Sequence, residues 1–306
     1  MQQGGSGLNY AIADLGSNTI RLSVYHTLPE GGFERLFSEK EMAGLVNYIS
    51  DGVLSEAGIR RACVALTNFR SLLHQFGMEQ MHVFATASLR NIRNTEEAVA
   101  MIRDLTGIDV DVISGDEEAQ LGYYGAMRTL EMRDGAMFDI GGGSTEIVEV
   151  RDGRILRAQS LPIGSLNLFN RYVSGIWPKR RELEAIEQAV RKALKAANLP
   201  ERKAGRVCGV GGTARAALKI TNAWKDRPVL ERRMTPQELH KLKKMLLRRD
   251  PGARKLILNA CPDRIHTILP GVVLMDAVCS ALCSGELYIS QNGVREGYLC
   301  HKLIGT

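Results

Sequence analysis

Asp14-Leu-Gly-Ser-Asn-Thr19 and Asp139-Ile-Gly-Gly-Gly-Ser-Thr145 stand about 125 residues apart and carry the same chemical elements: an aspartate, a glycine turn and small hydroxyl side chains. Glycine lets the main chain approach an anion closely and hydroxyls add donors. Successive N–H groups can converge on oxygen atoms, and an aspartate at a strand end can hold a cation. Two such turns facing each other would grip a chain of phosphates through Gly16, Ser17, Asn18 and Thr19 in one and Gly141, Gly142, Gly143, Ser144 and Thr145 in the other. One glycine-serine segment between apolar runs also suits an ordinary hairpin loop. The repetition points instead to two related domains with a site between them, where ligand clefts tend to form. A third anion-binding candidate is Val207-Cys-Gly-Val-Gly-Gly-Thr-Ala-Arg215, which couples a strand to a helix beginning near Thr213. The unsatisfied N–H groups and positive dipole end of such a helix, with Gly211, Gly212 and Thr213 at its start, suit a phosphate or nucleotide.

The elements that must position these residues follow from hydrophobic period and punctuation. Tyr10 to Ala13 and Ala136 to Phe138 lead into the two turns as strands, and Ile20 to Val24 and Ile147 to Val150 lead out. Phe33 to Lys40 supplies another strand, Ser55 opens an amphipathic helix that Gly77 stops, and Met81 to Ala85 is again a strand. A loop with Thr86, Ser88, Arg90 and Arg93 precedes a helix from Thr95 to Thr106 and a strand from Asp109 to Ile113. Ser114-Gly-Asp-Glu-Glu-Ala-Gln120 then opens a helix running toward Leu130. Its acidic first turn matches the helix dipole, and since successive residues turn by about 100°, only some of its carboxylates can face a cleft. Thr235-Pro-Gln-Glu238 has the pattern of a capping box. Strands alternating with helices favour an α/β architecture with partly parallel sheets.

The 306 residues allow two domains of ordinary size, and 44% hydrophobic with 24% charged residues is the composition of a soluble globular protein. The net charge of +6 is uneven: residues 1–122 hold 9 Lys and Arg against 16 Asp and Glu, leaving a basic remainder. That half could attract a polyanion, or its charges could simply solvate helix faces. Lys241, Lys243, Lys244, Arg248 and Arg249, with Arg254 and Lys255, form the strongest patch, and without interleaved aromatic residues it is a poor stacking platform for nucleic acid. The six cysteines lack zinc-ribbon spacing and suit a reduced core, with Cys279 and Cys283 expected on one helix face. No secretory pattern is visible in Met1 to Gly7, and Pro270, Gly271, Asp276 and Glu286 make Ile268 to Leu287 a buried helix rather than a membrane span. A cytoplasmic protein with no membrane partner is the expectation.

The ordered set Asp-x-Gly-Ser-Asn-Thr, Ala-Thr-Ala-Ser-Leu-Arg, Ser-Gly-Asp-Glu-Glu-Ala, Asp-Ile-Gly-Gly-Gly-Ser-Thr-Glu, Gly-x-Gly-Gly-Thr and Asn292-Gly-Val-Arg-Glu-Gly297 resembles the exopolyphosphatase and guanosine pentaphosphate phosphohydrolase family over nearly the whole chain. The resemblance implies two actin-like (ribonuclease H-like) domains around an interdomain cleft, the first comprising residues 1–122 with a returning C-terminal helix at 291–306, the second residues 123–290. It implies that Glu118 is the general base, with Glu117 as the alternative. It carries phosphate binding onto Arg90 as well as the glycine turns, and places a divalent cation near Asp139 and Glu146, where hard oxygen ligands suit magnesium or manganese. The chain reads Glu41-Met-Ala-Gly-Leu45 where many members have Arg-Leu-Gly, which removes a basic contact. It also resembles the short form, without the additional helical C-terminal region of longer members.

The activity this implies is metal-dependent release of terminal orthophosphate from inorganic polyphosphate. Removal of the 5′ γ-phosphate of guanosine pentaphosphate is the nearest alternative. A regulatory module that binds phosphate compounds or nucleotides without hydrolysis, and a kinase using ATP, are rivals of other classes. A homodimer is compatible with the basic second half.

Overall fold

The computed structural model describes residues 7–200, 203–248 and 250–305; the N-terminal reading of residues 1–6 and the charge of Arg249 fall outside them. The chain divides into two compact units, Met1–Gly115 and Asp116–Thr306.

In the first unit the chain runs β1 (Asn9–Leu15), β2 (Ile20–Thr27), β3 (Phe33–Glu41), the short β4 (Ile49–Ser50) and β5 (Val53–Leu54), then α1 (Glu56–Gln75), β6 (His82–Ala85), α2 (Ala87–Arg90), α3 (Thr95–Thr106) and β7 (Val110–Val112). The sheet order is β3-β2-β1-β6-β7. β1, β2 and β3 form an antiparallel meander, while β6 and β7 lie parallel beyond β1. Alternating residues of β1, Ala11, Ala13 and Leu15, face Ile59, Leu66 and Phe69 of α1 and Ile102 of α3 in one apolar core. The Ser55 side chain accepts from Gly58 N at 3.3 Å and starts α1, and Gly77, at φ +69°, turns the chain away after it. The fold therefore places the β1–β2 turn at one end of a sheet stiffened from behind by two helices.

The second unit begins within α4 (Gly115–Met127) and continues through β8 (Gly135–Ile140), β9 (Thr145–Arg151), β10 (Arg154–Leu161), α5 (Ser165–Tyr172), α6 (Arg180–Ala196), β11 (Ala204–Val210) and α7 (Gly211–Trp224). β12 (Arg233–Met234), α8 (Pro236–Leu247), α9 (Pro251–Ala260), α10 (Ile268–Leu282), β13 (Cys283–Ile289) and α11 (Val294–Tyr298) complete it, with a π-helical turn over Leu299–Ile304. Its sheet order, β10-β9-β8-β11-β13-β12, repeats the meander followed by parallel strands and adds a short antiparallel edge. α10 is buried on nearly every side, as its mean composition requires, and packs against α5, α6, α7 and α8. The last helix packs on α4, where Gly125 and Gly297 lack the Cβ atoms that would overlap the carbonyl oxygens of Gly293 and Leu121. No helix among the described residues is long and apolar enough to cross a membrane.

Four expectations are corrected. The apolar stretch from Ile268 is a helix only to Leu282, and Cys283 opens β13. Cys279 and Cys283 therefore do not share a helix face; the chain reverses into the sheet between them. α7 starts at Gly211 rather than near Thr213, because the glycine pair itself forms its first turn. Lys243 does not belong to the exposed basic run: it is drawn inward to Asp276, with Nζ to Oδ2 at 2.5 Å.

The capping box at α8 is present, Glu238 N donating to Thr235 Oγ1 at 3.2 Å and Thr235 N to Glu238 Oε2 at 3.1 Å. Lys225 Nζ reaches Glu238 Oε1 at 2.5 Å and Arg227 binds both carboxylate oxygens. Burial resists ionisation of Glu238, but the hydrogen bonds from Arg227, Lys225 and the Thr235 N–H outweigh it and hold the carboxyl at about 2 instead of 4.5. With the folded value below the unfolded one, this stabilisation is complete above 4.5 and is lost as pH falls toward 2. Glu238→Gln should therefore cost about 2–3 kcal/mol at neutral pH and less at pH near 3, measured as the difference in urea unfolding midpoints.

Candidate active site

A turn can show its N–H groups to an anion only when its carbonyl oxygens are held elsewhere. In the first unit, Leu15 and Ile20 close the β1–β2 ladder on either side of Gly16–Thr19. The carbonyl of Asn18 accepts from Gly44 N at 2.9 Å and that of Ser17 from Val46 N at 3.0 Å. Thr19 Oγ1 donates to the Met42 sulfur at 3.4 Å. The segment 42–46 thus clasps the carbonyl side of the turn.

The residue just before that segment, at the end of β3, is the acidic Glu41, and the fold pairs it with a cation. Arg61 of α1 meets Glu41 with Nη1 to Oε1 at 2.7 Å, and its Nη2 donates to Met42 O at 3.3 Å. Nothing in the spacing of the sequence pairs residue 61 with residue 41; the meeting depends on α1 crossing behind β3. α2 is tied to the same end of the sheet, since Ser88 Oγ donates to Leu15 O, the last residue before the turn. Arg90, the final residue of α2, reaches Ile113 O with Nη1 at 3.2 Å. The first unit thereby brings the phosphate-turn residues and the element bearing Arg90 to one sheet end.

The second unit repeats the device with different parts. Gly141 O accepts from Ser165 N at 2.9 Å, Gly142 O from Leu166 N at 2.9 Å and Asn167 N at 3.0 Å, and Gly143 O from Asn167 Nδ2 at 2.9 Å. The start of α5 therefore holds three successive carbonyls of the turn. Thr145 is fully buried and donates its hydroxyl to Ile163 O at 2.6 Å, so it locks the base of the turn. Ser144 is buried as well.

Across the sheet beneath this turn, Ser160 of β10, Glu146 of β9, Asp139 of β8 and Val210 of β11 are register partners in sequence. Directly opposed residues project from the same face, so Glu146 and Asp139 present two carboxylates side by side. Glu146 is 1% exposed and its Oε1 accepts from Ser160 Oγ at 2.7 Å. No signal in the sequence marks Ser160; only the β9–β10 register selects it. Among the described residues no group of three His, Cys, Asp or Glu side chains forms a ready cage. A cation beside Asp139 and Glu146 would take its other ligands from water or substrate, as magnesium commonly does.

Asp139 also lies against the start of α7. Gly211 has φ +84°, and a Cβ there would overlap Asp139 Oδ1, so backbone conformation and the carboxylate both demand glycine. A Cβ on Gly212 would collide with the Arg264 guanidinium, which puts Arg264 over the same helix start. Thr213 is buried and packs its methyl against Gly271 of α10, leaving the exposed part of this start to the two glycines. Arg215 follows in α7 and donates to Gln291 O at 3.3 Å. Burial and then Arg295 pull its pKa down to about 10, Asp139 and Glu296 push it back up and Arg264 pulls it down, so it stays charged at neutral pH. Arg215 thus lies within the influence of two further guanidinium groups, Arg264 and Arg295, and of two carboxylates, Asp139 and Glu296, a mixed distribution suited to a phosphate with a cation.

Glu118 stands in the first turn of α4 and is 8% exposed. Its neighbour Glu117 is bound to Lys302 of the C-terminal turn, with Oε1 to Nζ at 2.5 Å. The two carboxylates that sequence alone leaves adjacent are thus separated by environment.

Both units carry the strand order of an actin-like, ribonuclease H-like α/β fold. Residues 24–304 match the Ppx/GppA phosphatase family, and the chain belongs to that family. It is thereby a hydrolase of phosphoanhydride bonds. Among solved structures it is similar to an exopolyphosphatase from Cytophaga hutchinsonii, with 23% identity, a TM-score of 0.84, and coverage of 98% of this chain and 99% of that one. A Ppx/GppA family member from Aquifex aeolicus gives 21% identity and a TM-score of 0.78, covering 97% of this chain and 98% of that one. At these identities the likeness establishes the fold.

Gly211→Ala and Gly77→Ala separate strain from site geometry, since both positions have positive φ but an added Cβ meets nothing at Gly77. Gly77→Ala should cost about 1 kcal/mol in thermal or urea unfolding and Gly211→Ala more, since its Cβ must also displace the Asp139 carboxylate. Only Gly211→Ala should also abolish most phosphate release, because it displaces Asp139.

Proposed function

We propose that this chain removes the terminal orthophosphate from inorganic polyphosphate. The observation that carries this reading is the repetition of one anion-binding device, a glycine turn whose carbonyls are committed to the protein, in both units. Such turns recognise phosphate oxygens and suit a substrate that presents phosphate at every position. Gly16 to Thr19 and Arg90 bind phosphate groups from the first unit. Gly141 to Thr145 and the α7 start at Gly211, Gly212 and Thr213 bind them from the second, with Thr145 and Thr213 acting through the backbone they fix.

Glu118 is the general base. Its carboxylate accepts a proton from water, the water oxygen bonds to the terminal phosphorus, and the bridging P–O bond breaks. Orthophosphate leaves, and the shortened chain departs as its own oxyanion. Glu117, the alternative, forms an ion pair with Lys302 of the C-terminal turn. Asp139 and Glu146 would hold a magnesium or manganese ion, and Ser160 orients Glu146 by hydrogen bonding to one oxygen. When bound, that ion supplies charge neutralisation on the phosphoryl oxygens. The guanidinium of Arg215 stands near Asp139 as a fixed positive charge for the same phosphate oxygens. Six buried thiols support a reducing, cytoplasmic setting.

Orthophosphate release with magnesium from polyphosphate and from guanosine pentaphosphate, measured side by side, tests the reading. Faster turnover of polyphosphate is expected, and turnover confined to the nucleotide would replace polyphosphate as the substrate. Glu118→Gln should lower kcat by about 100-fold or more while KM changes little, and Glu117→Gln should retain most activity. Full activity in Glu118→Gln would remove the base assignment.

A further inference from the structure

Several cations of the second unit are paired within the fold. Lys225 and Arg227 are spent on Glu238, Arg206 and Arg233 approach Glu286, and Lys243 is paired with Asp276. Lys241 and Lys244 of α8 and Arg248 at its C-terminal end, with Arg254 and Lys255 of α9, are instead exposed, and no ion pair is found for any of them among the described residues. Residues 241, 244 and 248 recur at helical spacing, so they share one face, opposite the buried Leu239, Leu242 and Leu246. Asp250 is the only acidic residue from 239 to 262, and its carboxylate caps α9 by accepting from Ala253 N at 2.8 Å.

This cationic face connects physically to the site. α9 packs on α7, and its ten residues span about 15 Å at the helical rise. The turn that follows places Arg264 over Gly212, at the start of α7. Positive charge thus stands on the outer face of α8 and the first turns of α9, and again at Arg264 beside Gly212, with the uncharged Leu256–Ala260 and the acidic Asp263 between them. No Phe, Tyr or Trp lies between residues 225 and 287, so the face offers charge without stacking surfaces. A bare phosphate polymer uses the first and has no need of the second, whereas single-stranded nucleic acid draws on both.

We propose that the α8–α9 face is an exosite for the distal part of a long polyphosphate chain whose terminal phosphate occupies the turn site. The inference rests on the polyphosphate reading above, and it makes the enzyme chain-length sensitive: short substrates never reach the face, and long ones gain affinity from it. Binding of a linear polyanion to such a face releases counterions, so the extra affinity is salt-dependent.

The test compares wild type with a Lys244→Glu, Arg248→Glu, Lys255→Glu triple variant and with the corresponding triple glutamine variant, which removes charge without adding repulsion. Equilibrium binding of labelled long-chain polyphosphate and KM and kcat for long chains and for tripolyphosphate are measured at several salt concentrations. Charge reversal should weaken long-chain binding by about 10-fold or more and flatten its salt dependence, with the glutamine variant intermediate. Tripolyphosphate KM and both kcat values should stay within about 2-fold. Equal effects on both substrates, or none on long chains, would overturn the exosite. Tighter, charge-dependent binding of a single-stranded oligonucleotide than of polyphosphate would reassign the face to nucleic acid. If wild type hydrolyses neither substrate, the functional reading fails, and the binding arm still decides whether the face holds the polymer.

Discussion

Backbone N–H groups serve an anion only if the carbonyls beside them are satisfied elsewhere, and much of this protein is arranged around that constraint. In the first unit the task falls to residues 42–46, which return from the end of β3 to bind Ser17 and Asn18. In the second it falls to the start of α5, which reaches three carbonyls of the Gly141–Gly143 turn. The two solutions use unrelated sequence and different secondary structure. What they share is a meander that closes one side of the turn and a following segment that returns to cover the other.

The electrostatics of the second unit follow from sheet register. Asp139 and Glu146 are brought side by side because β8 and β9 pair residue for residue through the turn, and β10 extends the row to Ser160. Parallel pairing of β11 with β8 sets Val210 beside Asp139 and so delivers the start of α7 to the same place. Gly211 tolerates both the positive φ and the adjacent carboxylate. Arg215 of α7 feels the charges of Asp139, of Arg264 after α9 and of Arg295 and Glu296 in α11, so charge around it is supplied by segments distant in sequence.

Local pattern was legible where a single periodicity or cap decides the outcome. Thr95–Thr106 forms the expected helix, Ser55 and Thr235 cap as their side chains allow, and the strands flanking both glycine turns lie where alternating apolar residues put them. It failed where packing chooses between local options. Cys283 reads as a continuation of the helix bearing Cys279, yet it begins a strand because β11 offers a parallel partner there. Lys243 reads as part of a solvated basic run, yet the buried Asp276 draws it inward.

The sequence by itself singled out the two glycine turns as anion-binding candidates, because glycine, hydroxyl and aspartate in a short turn between strands act through their own backbone. It also determined the family and the alternation of strands and helices. Tertiary structure alone decided which side chains meet around those segments: Arg61 against Glu41, Lys302 on Glu117, Ser160 on Glu146, and Arg264 over Gly212. Each pairing joins residues separated by at least fourteen positions, and its formation depends on strand register or helix docking. Composition and spacing along the chain carry no record of those long-range distances.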